Sequence, residues 1–490
     1  MATEIKPTTQ LGGELLPLQQ EAVDLILAKK RTLIAFEQGG GKTIIALAAT
    51  HRESLYPMLI VGPKSVKLQW AEMARKWLPG VRVTTLHTQS QPEDMDADVV
   101  VANVDILPWV GMALKERRWK HFVVDESYLI KSGDSQRNAW CQHIALQSGH
   151  ITLLTGTPIE NRPIELVEQL RILGWLDAFG GAWRFKMRYC GAQQVNIGWR
   201  TVWQFKGASN TRELHEKLKA LGFIRCKLAD VWKDCPGKRR TVIPVELSNR
   251  ASYQAAESDL VAFVRMTAAN DKKFHAEIAH LTPQEQGLKV AIRQADKAYK
   301  AERAEALVRL GTLRRLVGLG KVAAAQEWIK DFLDTTGLKL VVFVYHRDVG
   351  DALVKKLKCP SIKGGDTDLA RQQAVKDFQA DARVIVCSIG AAGKGLDGLQ
   401  LAAHCVLFIE YPWTSAAIEQ AESRLLRYGQ ERAEVLSYFM TARVPMEDEL
   451  RSILKEKARI IARVIDGEGE AQAIQATQTA LIGMYRKKGN

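Results

Sequence analysis

The stretch at residues 33–43, LIAFEQGGGKT, constrains this chain more than any other part of its sequence. The apolar run before the glycines predicts a short buried strand, and the apolar IIALAA after Thr43 predicts a helix. Glycines let successive backbone N–H groups point at phosphate oxygens, and the helix N-terminus adds a favourable dipole. Lys42 would then reach the β- and γ-phosphates of a nucleotide, and the Thr43 hydroxyl would hold Mg²⁺. The strict loop pattern has glycine where this chain has Phe36, so the loop alone also fits a chance glycine turn.

The composition indicates a globular protein of roughly two to four domains, because the chain has 490 residues and an ordinary hydrophobic share of 46%. Its net charge of +14 fits either simple solubility or a nucleic-acid partner. No apolar run is long enough for a transmembrane helix, and the N-terminal MATEIKPTTQ lacks the apolar core of a secretory signal. The seven cysteines are scattered without paired spacing, which argues against a zinc site or a disulfide framework. We therefore expect no membrane partner and a reducing, cytoplasmic location.

Two blocks of the chain alternate between apolar runs and helical patterns. The runs predict strands at 32–36, 58–61, 99–102, 122–124 and 151–154 in the first block, and at 338–345, 383–387 and 405–409 in the second. Such alternation indicates a parallel sheet with helices on both faces, and ligands bind beyond the carboxyl ends of its strands. Polar motifs follow the strands of the first block, so we expect these motifs to meet at one edge of a sheet.

Two carboxylates, Asp125 and Glu126, come directly after the predicted strand at 122–124. This position suits magnesium chemistry, with Asp125 holding the metal directly or through water. Glu126 would orient and deprotonate an attacking water. The alternative is a turn at the end of a strand with two solvated acids, and the GKT loop upstream favours the functional interpretation.

Other long polar side chains are candidates for contacts with a nucleotide. Gln19 lies on a predicted helix at 15–27, where its amide would read adenine. Gln420, Arg424 and Arg427 are spaced four and three apart on a predicted helix at 418–430, so they would share one face. Arginine suits phosphate because its charge is permanent and its fork is planar. For all four residues the alternative is an ordinary solvated surface.

The middle of the chain, residues 180–330, breaks the α/β alternation. Residues 180–205 interleave basic and aromatic side chains, a pattern that fits either a grip on nucleic acid or a core with a solvated basic face. Residues 249–333 are strongly helical, and residues 445–465 predict an amphipathic helix.

These motifs, in their order and spacing, resemble those of the SNF2 family of superfamily 2 helicase-like ATPases. FEQGGGKT at 36–43 corresponds to D-E-x-G-x-G-K-T, DESY at 125–128 to D-E-A-H or D-E-S-H, and LTGTPIEN at 154–161 to L-T-G-T-P-x-x-N. Residues 420–430 match Q-A-x-x-R-x-x-R-x-G-Q. Four further segments resemble sequences of the annealing-helicase-like branch of the family and of its compact bacterial and phage relatives. They are ASNTREL at 208–214, IRCKLADV, the basic run at 238–240 and GLDGLQ.

The resemblance implies an α/β fold of two RecA-like lobes, with parallel sheets flanked by helices and helical insertions between the lobes. We expect the ATP-binding lobe at 15–180 and the helicase C-terminal lobe at 335–465. A basic, aromatic and helical insertion would occupy 181–334, and a polar tail 466–490.

The resemblance also implies ATP and Mg²⁺ as cofactors and a set of site residues. The expected catalytic residues are Lys42, Asp125, Glu126, Arg424 and Arg427. The expected nucleotide-binding residues are Gln19, Glu37, Gln38, Gly39, Gly40, Gly41, Lys42, Thr43, Gly395 and Gln420, with Thr43 and Asp125 at the metal. The expected DNA-binding residues are Lys64, Ser65, Asn103, Thr157, Asn161, His346, Gly364, Ser388 and Trp413.

The activity implied by the resemblance is ATP-dependent translocation on double-stranded DNA, which remodels DNA or protein–DNA complexes. The DNA would include forked or branched duplexes. We expect the protein to be a monomer that associates with the nucleoid. Three other functions stay open: an annealing, branch-migrating or strand-separating helicase, a motor that displaces proteins from DNA or recycles RNA polymerase, and a catalytically inactive DNA-binding scaffold. Phe36 replaces an acidic residue of the family pattern, and Tyr128 replaces the histidine that couples the ATP and DNA sites. These departures leave the phosphate, metal and water-activating groups in place.

Overall fold

The computed structural model describes residues 11–197, 200–282, 285–286, 289–290, 293, 297–392, 397–466, 481–482 and 484–485. These residues form two compact units. The first unit takes the described residues within Met1–Cys190, Ala208–Pro236 and Ile460–Gln472, and the second takes those within Gly191–Gly207, Gly237–Arg459 and Ala473–Asn490.

The strands are β1 Arg31–Phe36, β2 Met58–Gly62, β3 Val83–Thr85, β4 Val99–Asn103, β5 Trp119–Asp125, β6 Ser148–Leu154, β7 Ala192–Ile197, β8 Arg200–Phe205, β9 Phe223–Cys226, β10 Gly237–Val245, β11 Leu340–Val344, β12 Ser361–Ile362, β13 Val384–Ser388, β14 Cys405–Phe408 and β15 Glu434–Ala442. The helices are α1 Pro17–Lys29, α2 Lys42–Arg52, α3 Lys67–Trp77, α4 Leu107–Glu116, α5 Gln136–Leu146, α6 Leu166–Ile172, α7 Gly181–Tyr189, α8 Thr211–Leu221, α9 Leu228–Val231, α10 Arg250–Ile278, α11 Lys297–Gly320, α12 Val322–Thr336, α13 Arg347–Leu357, α14 Asp368–Gln379, α15 Ile389–Ala392, α16 Ser415–Glu422 and α17 Pro445–Asp466. Within the described residues no helix is long and apolar enough to cross a membrane.

The first unit contains a seven-stranded sheet in the order β3-β4-β2-β5-β6-β1-β9, and every neighbouring pair in it is parallel. Strands β2 and β4 are buried at every residue, which is typical of a sheet covered on both faces. Helices α1, α2 and α3 supply Ile26, Leu47 and Trp70 to the apolar core on one face. The carboxyl ends of these strands lie at one edge of the sheet and carry the polar motifs.

The second unit contains a six-stranded parallel sheet in the order β10-β15-β14-β11-β13-β12. Helices α12 and α13 pack on it through Ile329, Val349 and Leu353. The prediction of two α/β lobes with parallel sheets is therefore confirmed.

The segment predicted to be an insertion, 181–334, differs from that expectation. Strand β9 pairs with β1 at one edge of the first sheet, and β10 pairs with β15 at one edge of the second. Pro244 is tolerated in β10 because an edge strand has one side without ladder partners. Strands β7 and β8 form an antiparallel hairpin. The helical character predicted for residues 249–333 is confirmed at 250–278, 297–320 and 322–333, while part of the stretch between 283 and 296 lies outside the described residues.

Candidate active site and nucleic-acid interface

The loop between β1 and α2 has the conformation of a phosphate cradle. Gly39 and Gly41 have φ angles of 87° and 85°, a region that side chains rarely occupy. A Cβ atom on Gly41 would also lie 2.3 Å from the Gln19 Nε2 atom. Helix α2 begins at Lys42, so its first backbone N–H groups face the loop. Only glycine at position 41 satisfies both the backbone angle and the close approach.

Lys42 is held over this loop by two backbone oxygens. Its Nζ atom donates to the carbonyl oxygens of Phe36 and Glu37, at 2.8 and 3.2 Å. Burial raises the pKa of the Asp125 carboxyl, and the charge of the Lys42 ammonium group opposes that rise. Thr43 follows as the second residue of α2 and is partly buried. A cation, a hydroxyl and a helix N-terminus around one glycine loop fit the triphosphate of ATP with its Mg²⁺.

Gln19 belongs to the wall of the loop through both ends of its side-chain amide. Its Nε2 atom donates to the Gly40 carbonyl oxygen at 3.2 Å, and its Oε1 atom accepts from the Leu16 backbone N–H at 3.0 Å. In this structure the amide therefore fixes the loop to the start of α1. Contact between Gln19 and adenine remains a prediction.

Asp125 is oriented by a tryptophan that the sequence analysis missed. The Trp70 indole Nε1–H donates to Asp125 Oδ2 at 2.8 Å, and the Glu126 backbone N–H donates to Oδ1 at 2.9 Å. Burial raises the pKa of the Asp125 carboxyl, whereas these hydrogen bonds and Lys42 oppose the rise. A bound divalent cation would favour the carboxylate form. The sequence signal for Trp70 is its place in residues 66–78, VKLQWAEMARKWL, whose apolar spacing is typical of an amphipathic helix.

Glu126 adopts a left-handed backbone conformation, with φ 50° and ψ 56°. A non-glycine residue in this region carries strain of about 1–3 kcal/mol, and such strain clusters at active sites. This conformation occurs directly after the end of β5 at Asp125. The neighbouring Tyr128 is partly buried.

The segment after β6 lies against the glycine loop. A Cβ atom on Gly156 would be 3.3 Å from the Gln38 Cγ atom and 3.7 Å from the Lys42 Nζ atom. The next residue, Thr157, donates its backbone N–H to Thr155 Oγ1 at 3.0 Å. The motif at 154–161 therefore lies close enough to the glycine loop for a change in the loop to move it.

Glu37 was predicted to bind the nucleotide, but its carboxylate has partners inside the protein. Arg225 Nη2 donates to Glu37 Oε1 at 3.0 Å, and the Leu228 backbone N–H donates to Oε2 at 3.0 Å. Arg225 neutralises a charge that would otherwise repel phosphate. Glu37 therefore contributes to the loop through its backbone. Arg225, after Trp70, is the second residue that sequence reasoning missed.

The predicted helix at 418–430 is shorter than expected, because α16 ends at Glu422 and turns follow. Arg424 and Arg427 lie in these turns, so Gln420, Arg424 and Arg427 do not share one helix face as predicted. Hydrogen bonds with shorter spacing, such as the Arg424 N–H to the Ala421 oxygen at 3.1 Å, replace the helical pattern.

Arg427 is anchored within the second unit. Its Nη1 atom lies 3.2 Å from Asp397 Oδ1, and its Nε atom donates to the Ser423 carbonyl oxygen at 3.1 Å. Burial would raise the pKa of Asp397, but Arg427 and other donors hold it below its usual value. Gly395, predicted to contact the nucleotide, lies outside the described residues.

The predicted DNA-binding residues of the first unit lie at the carboxyl edge of its sheet. Lys64 and Ser65 form a turn directly after β2, and Asn103 ends the neighbouring strand β4, in register with Gly62. Thr157 and Asn161 follow β6. The buried hydroxyl oxygens of Ser65 and Thr157 have no hydrogen-bond partner among the described residues.

The predicted DNA-binding residues of the second unit lie at or just beyond the carboxyl ends of β11, β12, β13 and β14. Gly364 and Ser388 line one cavity of about 180 Å³, together with Tyr345 and Lys363. Among the described residues, no atom beyond the chain neighbours of Gly364 lies within 4 Å of a Cβ position on it, so its backbone is open to a ligand. This cavity joins two of the four predicted residues.

The other two predicted residues, His346 and Trp413, each contact a charged side chain of the second unit. The backbone N–H groups of Tyr345 and His346 donate to Glu410 Oε2, both at 2.9 Å, and the imidazole contacts Oε1. Trp413 lies against the Arg314 guanidinium, whose carbon is 4.2 Å from the centroid of the indole ring. The side chains of His346 and Trp413 therefore have structural partners, and their contact with DNA remains a prediction.

The comparisons with known proteins agree on one family. Residues 18–300 match the model of the SNF2-related domain, and residues 321–429 match that of the helicase conserved C-terminal domain. The human DNA annealing helicase and endonuclease ZRANB3 is 28% identical over 478 residues, which are 94% of this chain and 41% of that protein.

The Caenorhabditis elegans homolog of the SWI/SNF-related matrix-associated actin-dependent regulator of chromatin subfamily A-like protein 1 is 30% identical over 469 residues, or 92% of this chain and 62% of that protein. A solved Sulfolobus solfataricus SWI2/SNF2 ATPase core in complex with dsDNA covers 95% of this chain, and this chain covers 96% of it, at 21% identity with a TM-score of 0.42. This chain thus spans about two fifths of the human relative's length.

Proposed function

Because the chain belongs to the SNF2-related domain family, we propose that it is an ATP-dependent translocase on double-stranded DNA that remodels DNA or protein–DNA complexes. One observation carries the proposal: the glycine loop with Lys42 follows β1 and Asp125 ends β5, and both strands pair in parallel with β6, so the two motifs lie at the same edge of one sheet. In this proposal, the phosphate-binding cation and the metal-binding carboxylate come from motifs more than 80 residues apart in the sequence and act at one place.

Each side chain has a separate role in this proposal. The backbone of residues 39–41 and Lys42 bind the phosphates, while Thr43 and Asp125 hold Mg²⁺. Trp70 fixes the direction of the Asp125 carboxylate. Glu126 orients a water molecule and accepts its proton. Bound Mg·ATP supplies a phosphoryl group whose developing charge the metal and the basic side chains neutralise.

DNA is the proposed polyanionic partner, and the net charge of +14 supports it. The candidate contacts are those after β2, β4 and β6 in the first unit and those around the cavity of the second. We propose that the protein acts as a monomer, that duplex DNA is its track, including forked or branched duplexes, and that a cell would hold it at its nucleoid.

The decisive experiment measures ATP turnover with duplex DNA, single-stranded DNA, RNA and no nucleic acid. We expect slow turnover alone and a marked rise with duplex DNA. DNA affinity should fall with salt, with a log–log slope of about −0.9 per neutralised phosphate. Equal turnover with and without duplex DNA at low salt would rule out a DNA-driven motor.

A second candidate is annealing or branch migration, because the human relative ZRANB3 is a DNA annealing helicase. Assays of strand annealing and fork reversal with the same preparation separate it from simple translocation. The triplex-displacement assay reports translocation without strand separation. A catalytically inactive scaffold would bind duplex DNA without any ATP turnover, and the presence of Lys42, Asp125 and Glu126 argues against it.

A further inference from the structure

Arg225, in β9, joins three separate parts of the first unit. Its Nη2 atom donates to Glu37 Oε1 at 3.0 Å, at the start of the glycine loop. Its Nη1 atom donates to the carbonyl oxygens of Ala35 at 3.0 Å and Gly156 at 3.3 Å. Its Nε atom donates to Asp466 Oδ1 at 3.1 Å, at the last residue of α17. One guanidinium thus bonds to the loop, to the motif after β6 and to the end of a distant helix.

The contact with Glu37 leads directly to the lysine of the loop. The Glu37 backbone N–H donates to the Cys226 carbonyl oxygen at 3.0 Å, next to Arg225 in β9. The Glu37 carbonyl oxygen accepts from Gly40 N–H at 3.1 Å and from Lys42 Nζ at 3.2 Å. The position of Glu37 therefore sets the path of the glycines and the resting place of the Lys42 ammonium group.

The contact with Asp466 depends on how the end of α17 lies on the first unit. Asp466 side-chain exposure is 14% and that of Arg225 is 15%, so water screens this ion pair weakly. Lys227 Nζ lies 3.7 Å from the second Asp466 oxygen. The preceding Val464 and Ile465 are 1% and 5% exposed. The end of α17 is thus fixed by both apolar burial and charge.

We propose that Arg225 is a positioning residue that makes the nucleotide affinity of the glycine loop depend on the docking of α17 at Asp466. This inference rests on the proposed function, because it requires a nucleotide at residues 39–43. Asp466 holds the guanidinium in the plane that serves Glu37 and Gly156. Without Asp466 the guanidinium is free to follow Glu37, and the loop loses its fixed geometry. By linkage, a bound nucleotide in turn stabilises the docked helix end.

The test uses the full chain and a slowly hydrolysed ATP analogue with Mg²⁺. Binding is titrated by calorimetry, and steady-state turnover is measured with saturating duplex DNA. The variants are Asp466→Asn, which keeps the shape and removes the charge, and Asp466→Glu, which keeps the charge. Glu456→Gln is the matched control on α17, because Glu456 is exposed and pairs with Arg459 in its own helix.

We expect Asp466→Asn to raise the Kd for the analogue and the KM for ATP by about 5-fold or more, the lower end of typical coupling between sites. The kcat should stay within about two-fold, because the groups that contact ATP are intact. Asp466→Glu should restore most of the affinity, and Glu456→Gln should match the parent. Arg225→Lys should weaken binding as Asp466→Asn does, because an ammonium cannot serve these acceptors in one plane.

Hydrogen exchange at residues 460–466 supplies the reciprocal measurement. The analogue should slow exchange there in the parent and have no effect there in Asp466→Asn. An unchanged Kd in Asp466→Asn, or a smaller active fraction at an unchanged Kd, overturns the inference and leaves the proposed function intact. A parent chain that binds no nucleotide overturns the proposed function itself.

Discussion

Arg240 holds Glu422 through two hydrogen bonds, from Nε to Oε1 at 2.8 Å and from Nη2 to Oε2 at 2.6 Å. Arg240 lies in the edge strand β10, and Glu422 ends the helix that carries Gln420 and precedes Arg424. The Glu422 side chain is fully buried. The basic run at 238–240 thus has a structural task in the second unit, because it fixes the segment of the candidate arginines.

We expect Arg240→Ala to lower the free energy of unfolding of the second unit by about 2 kcal/mol, because it leaves a buried carboxylate without its cation. The expected loss is smaller than that for breaking a fully buried ion pair, because the Arg240 side chain is itself half exposed. Arg239→Ala is the control, since Arg239 and Glu434 form an exposed pair at 3.6 Å. It should change stability by less than about 0.5 kcal/mol. Urea denaturation measures both, and equal losses would show that the Glu422 pair has no special weight.

Glu126→Gln should separate nucleotide binding from hydrolysis. The amide keeps the size of the side chain but cannot accept a proton from water, so we expect ATP affinity close to the parent and turnover lower by about 10²-fold or more. The exposed Asp134→Asn is the matched control and should keep full turnover. Calorimetry and a phosphate-release assay give the two quantities. Near-normal turnover in Glu126→Gln would assign water activation to another group.

Arg427 should act on the rate and leave ATP affinity nearly unchanged. A guanidinium that stabilises transition-state charge contributes roughly 10³–10⁵-fold in studied NTPases, so Arg427→Ala should lose at least about 10²-fold in turnover. Arg427→Lys should not restore it, because an ammonium lacks the planar fork. Arg424→Ala should behave similarly, and Arg432→Ala, at an exposed position, is the control. If ATP affinity collapses while saturated turnover stays normal, Arg427 is a ground-state binding residue.

The first unit should lose stability in mild acid through His121. Burial, with a smaller effect of His150, lowers the pKa of His121 to about 3. The neutral ring bridges Thr50 Oγ1 at 2.7 Å and Thr152 Oγ1 at 2.9 Å. An unfolded histidine titrates near 6.5, so below that pH the unfolded state binds a proton that the folded state excludes. Stability is then complete above about pH 6.5 and falls by up to about 1.4 kcal/mol per pH unit below it.

His121→Gln provides the measurement, because glutamine hydrogen-bonds but does not titrate. Its urea midpoint relative to the parent should stay nearly constant from pH 7.5 to about 6.5 and rise as the pH is lowered further to 5. His143→Gln, at an exposed position on α5, should show a constant difference. A parallel pH dependence of the parent and His121→Gln would mean that another group causes the acid sensitivity.

The sequence alone determined the elements whose signals are local. Apolar runs marked β1, β2, β4, β5, β6, β11, β13 and β14, because a strand covered on both faces must be apolar at successive positions. The glycines and Lys42 marked the loop, since its left-handed angles admit little else. The alternation of strands and helices gave the two parallel sheets, because parallel strands require crossovers.

Only the tertiary structure decided how distant segments pair. Strand β9 lies beside β1 although about 190 residues separate them, and nothing in four residues of FIRC specifies an edge partner. Trp70 meets Asp125 across 55 positions, and Arg225 meets Glu37 across 188. Glu422, the last residue of α16, meets Arg240 across 182 positions. Such contacts depend on which strand edges and buried charges become neighbours after the chain has folded, so local patterns carry no record of them.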